Sequence, residues 1–164
     1  MQRQPNPILS FDDLSVGDEW ESPHRTVTET DVVNFAGLSG DFNPIHVDHD
    51  SARKGPFRRP VAHGLLGLAI ASGLTSSSPR VDTVAFLAIL EWKFLQPIAF
   101  GDTIHVVTRV VAVEPRARGR RGLVTWARTL INQDGEVVQE GTTQTLVRSR
   151  ASRAGGGDAA DAAS

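Results

Sequence analysis

The chain has 164 residues, of which 40% are hydrophobic and 22% are charged, as expected for one soluble globular domain. Seventeen basic and nineteen acidic residues give a formal net charge of −2, which does not indicate a nucleic-acid partner. The absence of cysteine excludes disulfides, thiol nucleophiles and thiolate metal sites. Residues 1–13 lack the apolar core of a signal peptide, so we expect a cytoplasmic protein.

The first third of the chain predicts one well-capped helix. Residues 1–22 are expected to form a loosely ordered lead-in, followed by a short strand near residues 24–27. The sequence TETD at residues 28–31 resembles a capping box, and apolar residues at helical spacing follow it. These signals predict a helix from Glu29 to Leu38. The polar residues 47–60 predict one helical turn near residues 50–54.

A second, wholly apolar helix is predicted over residues 62–76. The run VAHGLLGLAIASGL at residues 61–74 contains no Lys, Arg, Asp or Glu. A membrane span needs about 20 apolar residues, so this run is too short and indicates a core helix instead. A helix that is hydrophobic on every side is expected to be enclosed on every side. We therefore expect no membrane association.

From residue 83 onward the composition favours β-strands, because Val, Ile and Thr become frequent. The predicted strands cover residues 83–98, 103–114, 123–132 and 136–148. The connections are too short for helical crossovers, so the sheet should be antiparallel and should wrap around the apolar helix, in class α+β. Residues 1–150 are predicted to form one domain. The Ala- and Gly-rich residues 151–164 are predicted to be a disordered tail.

The most informative motif is GDFNPIH at residues 40–46. It places a carboxylate, Asp41, five positions before an imidazole, His46, on a segment that Pro44 should keep from being continuous helix. Such a pair can divide proton transfer, one group activating a water and the other delivering a proton. An alternative is an Asx-type turn in which Asp41 and Asn43 cap the backbone and the histidine is incidental.

The wider motif FAGLSGDFNPIH at residues 35–46 resembles the signature of the MaoC-like acyl dehydratases, a family that includes the R-specific enoyl-CoA hydratases. The resemblance continues in RPVAHG at residues 59–64, FLQPI at 94–98 and NQDGEVV at 132–138. It covers about residues 10–148. It implies a hotdog fold, in which an antiparallel sheet wraps a long central helix.

The resemblance also implies a function and a set of site residues. The expected reaction is R-specific hydration of trans-2-enoyl thioesters, or the reverse dehydration, on acyl-CoA or acyl-carrier-protein substrates at a homodimer interface. Asp41 and His46 match the catalytic pair, and Asn43 matches the residue that shapes their loop. Gly64 matches the glycine whose N–H binds the thioester oxygen, and Ser72 matches a helix serine that faces the site. No cofactor and no metal are expected.

Several alternatives stay open at this point. His63 precedes Gly64 and is a candidate substrate-binding residue, although packing at the helix start would explain it equally well. A metal site around His46, Asp48 and His49 lacks a recognised ligand spacing. A serine hydrolase is disfavoured because Ser39 does not sit in a Gly-x-Ser-x-Gly motif. An acyl-CoA thioesterase, or a non-catalytic acyl-thioester binding subunit of a heteromeric hydratase, would share the fold.

The coenzyme A phosphates could meet one of two basic segments. The arginines within residues 116–121 lie beside Pro115 and Gly119, which favours a solvated hairpin turn over a ligand site. Arg58 and Arg59 lie nearer to the motif in sequence and are the better candidates.

Overall fold

The computed structural model describes residues 7–154. Two short 3₁₀ turns, Phe11–Asp13 and Ala117–Gly119, accompany six strands and five helices within this range. The elements are β1 Glu19–Glu21, β2 Arg25–Thr26, α1 Glu29–Ser39, α2 Pro44–Val47, α3 His49–Lys54, α4 Gly64–Thr75, β3 Thr83–Phe94, β4 Thr103–Arg116, β5 Arg121–Ile131, β6 Val137–Arg148 and α5 Arg150–Ala154.

The strands form one antiparallel sheet in the order β1-β4-β5-β6-β3, and β2 pairs with β4 outside this path. Helix α4 packs against the sheet through Leu66, Ile70 and Ala71, which join a buried cluster with Ile104 and Leu130. A sheet wrapped around a central helix is the hotdog architecture, so the predicted fold is confirmed.

Helix α4 is not enclosed on every side, and that prediction is wrong for the single chain. Leu65 is 60% exposed, and Ala69, Ser72 and Gly73 are also exposed on the same side of the helix. The reason is geometric, because one curved sheet covers only the side of the helix that faces it. The other side of α4 has no cover among residues 7–154.

Strand β3 lies at the end of the sheet order and carries a second exposed apolar surface. Phe86, Leu87, Ile89, Leu90 and Phe94 are between 46% and 56% exposed. Edge strands with large exposed apolar side chains are prone to pair with another chain. This surface and the exposed side of α4 together make a large unpartnered apolar region of the described chain.

Helix α1 begins at Glu29 as predicted, and the capping box is confirmed because Thr28 and Asp31 exchange hydrogen bonds. The lead-in is more ordered than expected, since β1 pairs with β4 and Leu14 is buried. Residues 150–154 form the short helix α5, so the start of the segment predicted to be disordered is helical, and residues 155–164 lie outside the described part. Within the described part, no helix is long and apolar enough to cross a membrane.

Candidate active site

Asp41 lies in a tight loop that starts where helix α1 ends. Gly40 caps that helix with φ of 77°, in the left-handed region that favours glycine. The N–H of Asp41 donates to Ser39 Oγ at 3.2 Å, and Asp41 Oδ1 accepts from the N–H of Asn43 at 3.2 Å. These bonds orient the carboxylate, while its side chain remains 54% exposed and can reach a ligand.

His46 lies on the short helix α2 rather than in a loop. The prediction of a loop through residue 46 is therefore wrong for its second half, because proline is tolerated at the first position of a helix and Pro44 takes that place. Asn43 caps the helix by accepting a hydrogen bond from the N–H of Ile45 at 3.2 Å. The capping turns at Asp41 and Asn43 are thus present, and they bring the two predicted side chains together.

The His46 ring is only 8% exposed, and its orientation is fixed by the backbone. Its Nδ1 lies 2.7 Å from the carbonyl oxygen of Val61. Because a carbonyl can only accept, Nδ1 carries a proton and Nε2 is the nitrogen left for chemistry. The N–H of Val61 in turn donates to the carbonyl of Ile45 at 3.1 Å, which ties this segment to α2.

His63 precedes helix α4 and contacts both members of the pair. Its ring stacks on the His46 ring with centroids 3.8 Å apart and an angle of 28° between the planes. Its Nε2 donates to the backbone carbonyl of Asp41 at 2.8 Å and lies 4.0 Å from Asp41 Oδ2. The predicted hydrogen bonding near the helix start is therefore present. His63 holds the Asp41 loop and the His46 ring in place.

One carboxylate oxygen of Asp41 and one ring nitrogen each of His46 and His63 lie within 4.8 Å of one another. Hydrogen bonds to a water are each about 2.7–3.2 Å long, so one water can contact two of these groups at once. The arrangement can therefore position and activate a single water molecule.

The same three side chains, Asp41, His46 and His63, are close enough to be weighed as a metal site. His46 Nδ1 and His63 Nε2 donate to backbone carbonyls, and the remaining nitrogen of His63 is buried without a partner in residues 7–154. Metal-binding histidines usually donate their second ring N–H in this way, so these hydrogen bonds fit a metal ligand as well as a proton-transfer group.

A cavity of about 290 Å³ adjoins His46 and the start of helix α4. Its lining is mainly apolar, with Ile45, His46, Phe57, Val61, Ala62, Gly64, Phe94, Leu95, Gln96, Pro97, Ile98 and Gln139. Gly64 is the first residue of α4, and its carbonyl accepts a hydrogen bond from Gln139 Nε2 at 3.0 Å. First-turn N–H groups of a helix have no intrahelical acceptor, so the N–H of Gly64 is available to a ligand.

Ser72 does not lie at this cavity. It follows Gly64 by eight residues, which corresponds to about 12 Å along a helix. It lines a separate cavity of about 250 Å³ at the C-terminal end of α4, together with Thr75, Thr108, Trp126 and Arg128. Within one chain the structure therefore brings together Asp41, Asn43, His46, His63 and Gly64 but not Ser72.

Arg128 lines this second cavity and was not singled out in the sequence analysis. It lies on the same face of β5 as Val124, Trp126 and Leu130, whose side chains are at most 2% exposed. A charged residue at an otherwise apolar, inward-facing position of a strand is the signal that could have indicated it. Burial lowers the pKa of Arg128 to about 10.

Comparison with known proteins gives consistent matches. Residues 14–130 match the family described as MaoC like domain. The chain is 33% identical to the (R)-specific enoyl-CoA hydratase of Rhodospirillum rubrum, covering 85% of this chain and 92% of that protein. It is 31% identical to the 3-hydroxybutyryl-CoA dehydratase of Methylorubrum extorquens, covering 93% and 96%.

A longer protein and a solved structure match as well. The chain is 36% identical over 96 residues to Protein MaoC of Klebsiella aerogenes, of which it spans 29%. The crystal structure of the MaoC-like dehydratase from Rhodospirillum rubrum superimposes with a TM-score of 0.76 at 32% identity, covering 87% of this chain and 98% of that one.

Proposed function

The chain belongs to the MaoC-like domain family, and from this membership and the site geometry we propose that it hydrates trans-2-enoyl thioesters with R specificity or catalyses the reverse dehydration. The observation that carries the proposal is the placement of Asp41 and His46. A carboxylate oxygen and a ring nitrogen lie within 4.8 Å, and the Val61 carbonyl fixes the imidazole so that Nε2 remains for proton transfer.

The reaction adds hydroxide from water to C3 and a proton to C2. In the proposed mechanism Asp41 orients and activates the water, and His46 completes the proton transfer at C2. The pair takes one proton from the water and returns one to carbon, so it ends each turnover in its starting state.

Negative charge builds on the thioester oxygen as C3 is attacked. The N–H of Gly64 is proposed to bind this oxygen, because it is at the N-terminus of a 12-residue helix, where the dipole is positive. Gln139 supports this role from the other side of the peptide, since its amide holds the carbonyl of Gly64 at 3.0 Å. The apolar cavity beside Gly64 can accept the thioester.

We also propose that two chains form a homodimer through the exposed apolar surface of β3 and α4. Leu90 on β3 is 56% exposed and Leu65 on α4 is 60% exposed. Pairing of two β3 edges would satisfy their free backbone groups and cover these side chains.

The test is a turnover assay on purified protein with crotonyl-CoA, following loss of the conjugated thioester and, separately, release of free thiol. Loss of conjugation without thiol release is the expected result. Thiol release would indicate a thioesterase, and binding without turnover would indicate a non-catalytic subunit.

Asp41→Asn and His46→Gln are each expected to lower turnover about 10²–10⁴-fold, the usual range for general acid–base groups. The matched control is His49→Gln, three residues after His46, whose exposed side chain pairs with Glu29 at 2.9 Å. Near wild-type turnover of either dyad variant would refute the assignment.

A further inference from the structure

The cavity at the C-terminal end of helix α4 is lined mainly by polar side chains. Its volume is about 250 Å³. The lining includes the rings of Phe86 and Trp126 and seven polar side chains, those of Ser72, Thr75, Ser76, Thr83, Thr108, Arg128 and Thr145. The lining contains no Asp or Glu, so Arg128 contributes the one formal charge that faces this space.

Arg128 is incompletely paired within residues 7–154. Its Nη1 donates to the hydroxyl of Thr75, but its Nε is buried and has no hydrogen-bond partner there. No carboxylate of the described chain forms an ion pair with it. The hydroxyl of Thr108, which pairs with Arg128 across β4 and β5 and also lines the cavity, is likewise buried without a partner among the described residues.

Buried polar groups are nearly always hydrogen-bonded, and an unpaired buried cation is costly. The C-terminal end of α4 offsets part of this cost, because helix C-termini favour cations and Thr75 is the last residue of the helix. The offset does not supply partners for Nε or for the hydroxyl of Thr108. These donors point to a ligand that accepts several hydrogen bonds and carries negative charge.

We propose that this cavity binds the carboxylate group of a small organic acid, with Arg128 as its principal contact. The guanidinium fork matches a carboxylate in two parallel hydrogen bonds. The rings of Phe86 and Trp126 provide an apolar wall for the carbon chain that bears it, and the cavity volume limits the ligand to a few carbons.

A carboxylate could come from two sources. One is a free short dicarboxylate, whose binding does not depend on the proposed hydratase activity. The other is the far end of the acyl group of the substrate, and this source does rest on the proposed function. The first measurement therefore uses free acids and needs no turnover.

Isothermal titration calorimetry with succinate and with glutarate is expected to show binding to the wild-type protein, with neutral succinamide as the ligand control. Arg128→Met should weaken binding by about 10–100-fold, and Arg128→Lys should restore part of it, since lysine keeps the charge but not the fork. The matched control is Arg109→Met, an exposed arginine on neighbouring β4. It should bind as the wild type does.

Thermal unfolding separates a binding role from a structural one. Arg128→Met removes an unpaired buried cation, so it should unfold at the same or a higher temperature than the wild type while losing the ligand. A wild-type protein that binds none of these acids, holding water only in the cavity, would overturn the proposal. Equal binding by Arg128→Met would also overturn it.

The second arm compares hydration of a trans-2-enoyl-CoA that ends in a carboxylate with one of equal length that ends in a methyl group. If the carboxylate substrate has the higher kcat/KM and Arg128→Met abolishes this preference, the cavity binds the far end of the acyl group. If the two substrates react at equal rates while succinate still binds, the cavity binds a free acid. Absence of turnover with both, with binding retained, would refute the hydratase proposal and leave the cavity assignment intact.

Discussion

Substitution of Gly67 by alanine should destabilise the protein, although alanine is the better helix former. Gly67 lies in α4 directly below the side chain of Gln139, which is 2% exposed. A Cβ at position 67 would lie 2.2 Å from Gln139 Nε2 and 2.8 Å from Ile98 Cδ1. Real Cβ atoms do not approach other atoms so closely, so Gln139 must move. Its hydrogen bonds to Gly64 and to Trp92 Nε1, each 3.0 Å long, would then be disturbed.

The expected loss of stability in Gly67→Ala follows from three contributions. Overpacking of a core costs about 1–3 kcal/mol, and the two hydrogen bonds contribute about 1 kcal/mol each. The higher helix propensity of alanine returns about 1 kcal/mol. The net loss should be about 2–4 kcal/mol in the free energy of unfolding, which lowers Tm by roughly 5–15 °C for a domain of this size.

Thermal unfolding of Gly67→Ala beside Gly37→Ala gives a matched test. Gly37 is also within a helix, but a Cβ there would meet nothing within 4 Å, so this variant should gain up to about 1 kcal/mol. The two substitutions should therefore shift Tm in opposite directions. Because Gln139 also holds Gly64, Gly67→Ala should reduce kcat as well. A Gly67→Ala protein with raised Tm would refute the proposed close contact between α4 and Gln139.

Two further predictions concern assembly and acid stability. Leu90→Lys should convert the proposed dimer into a monomer, as measured by light scattering. The control Val16→Lys, at an exposed site away from β3, should leave assembly unchanged. A dimeric Leu90→Lys protein would exclude the β3 interface. For Asp31, desolvation raises the pKa, but the hydrogen bonds from Thr28 and the charge of Arg25 outweigh it and lower the pKa below 3.8. Its contribution to stability is therefore present above pH 3.8 and lost as pH falls through the lowered value. Unfolding scans should show Asp31→Asn less stable than wild type at pH 7, with a difference that shrinks as the pH falls below 3.8, and a constant difference would contradict this.

Local signals in the sequence were sufficient to predict helix α1 and the long strands. The capping box at Thr28 acts within one helical turn. Buried and more exposed side chains alternate along β4 because one face of the sheet is buried, so neither signal depends on distant residues. Strand β1 was missed because Glu19, Trp20 and Glu21 carry no strand pattern of their own. It forms because β4 offers a free edge to pair with, which is a tertiary interaction.

For the candidate site, the sequence suggested residues but not their geometry. The motif points to Asp41 and His46, but the hydrogen bond from His46 to Val61 joins residues 15 positions apart and has no local signal. The stacking of His63 on His46 likewise requires α2 and the start of α4 to meet. The exposure of α4 could not be read from its composition, because an apolar helix has the same sequence whether its cover comes from its own chain or from another.

Helix α4 gives the two cavities opposite electrostatic character. At its N-terminus the free N–H of Gly64 and the positive end of the dipole favour a developing negative charge. At its C-terminus the dipole is negative and opposes an anion, so the proposed carboxylate site beside Thr75 depends on the positive charge of Arg128. Thr75 accepts from Arg128 and donates to the carbonyl of Ser72, which fixes the guanidinium against the end of the helix. In Arg128→Met the helix end would oppose the carboxylate without this compensation, which is the physical reason for the expected loss of about 10–100-fold in affinity and for its partial recovery in Arg128→Lys.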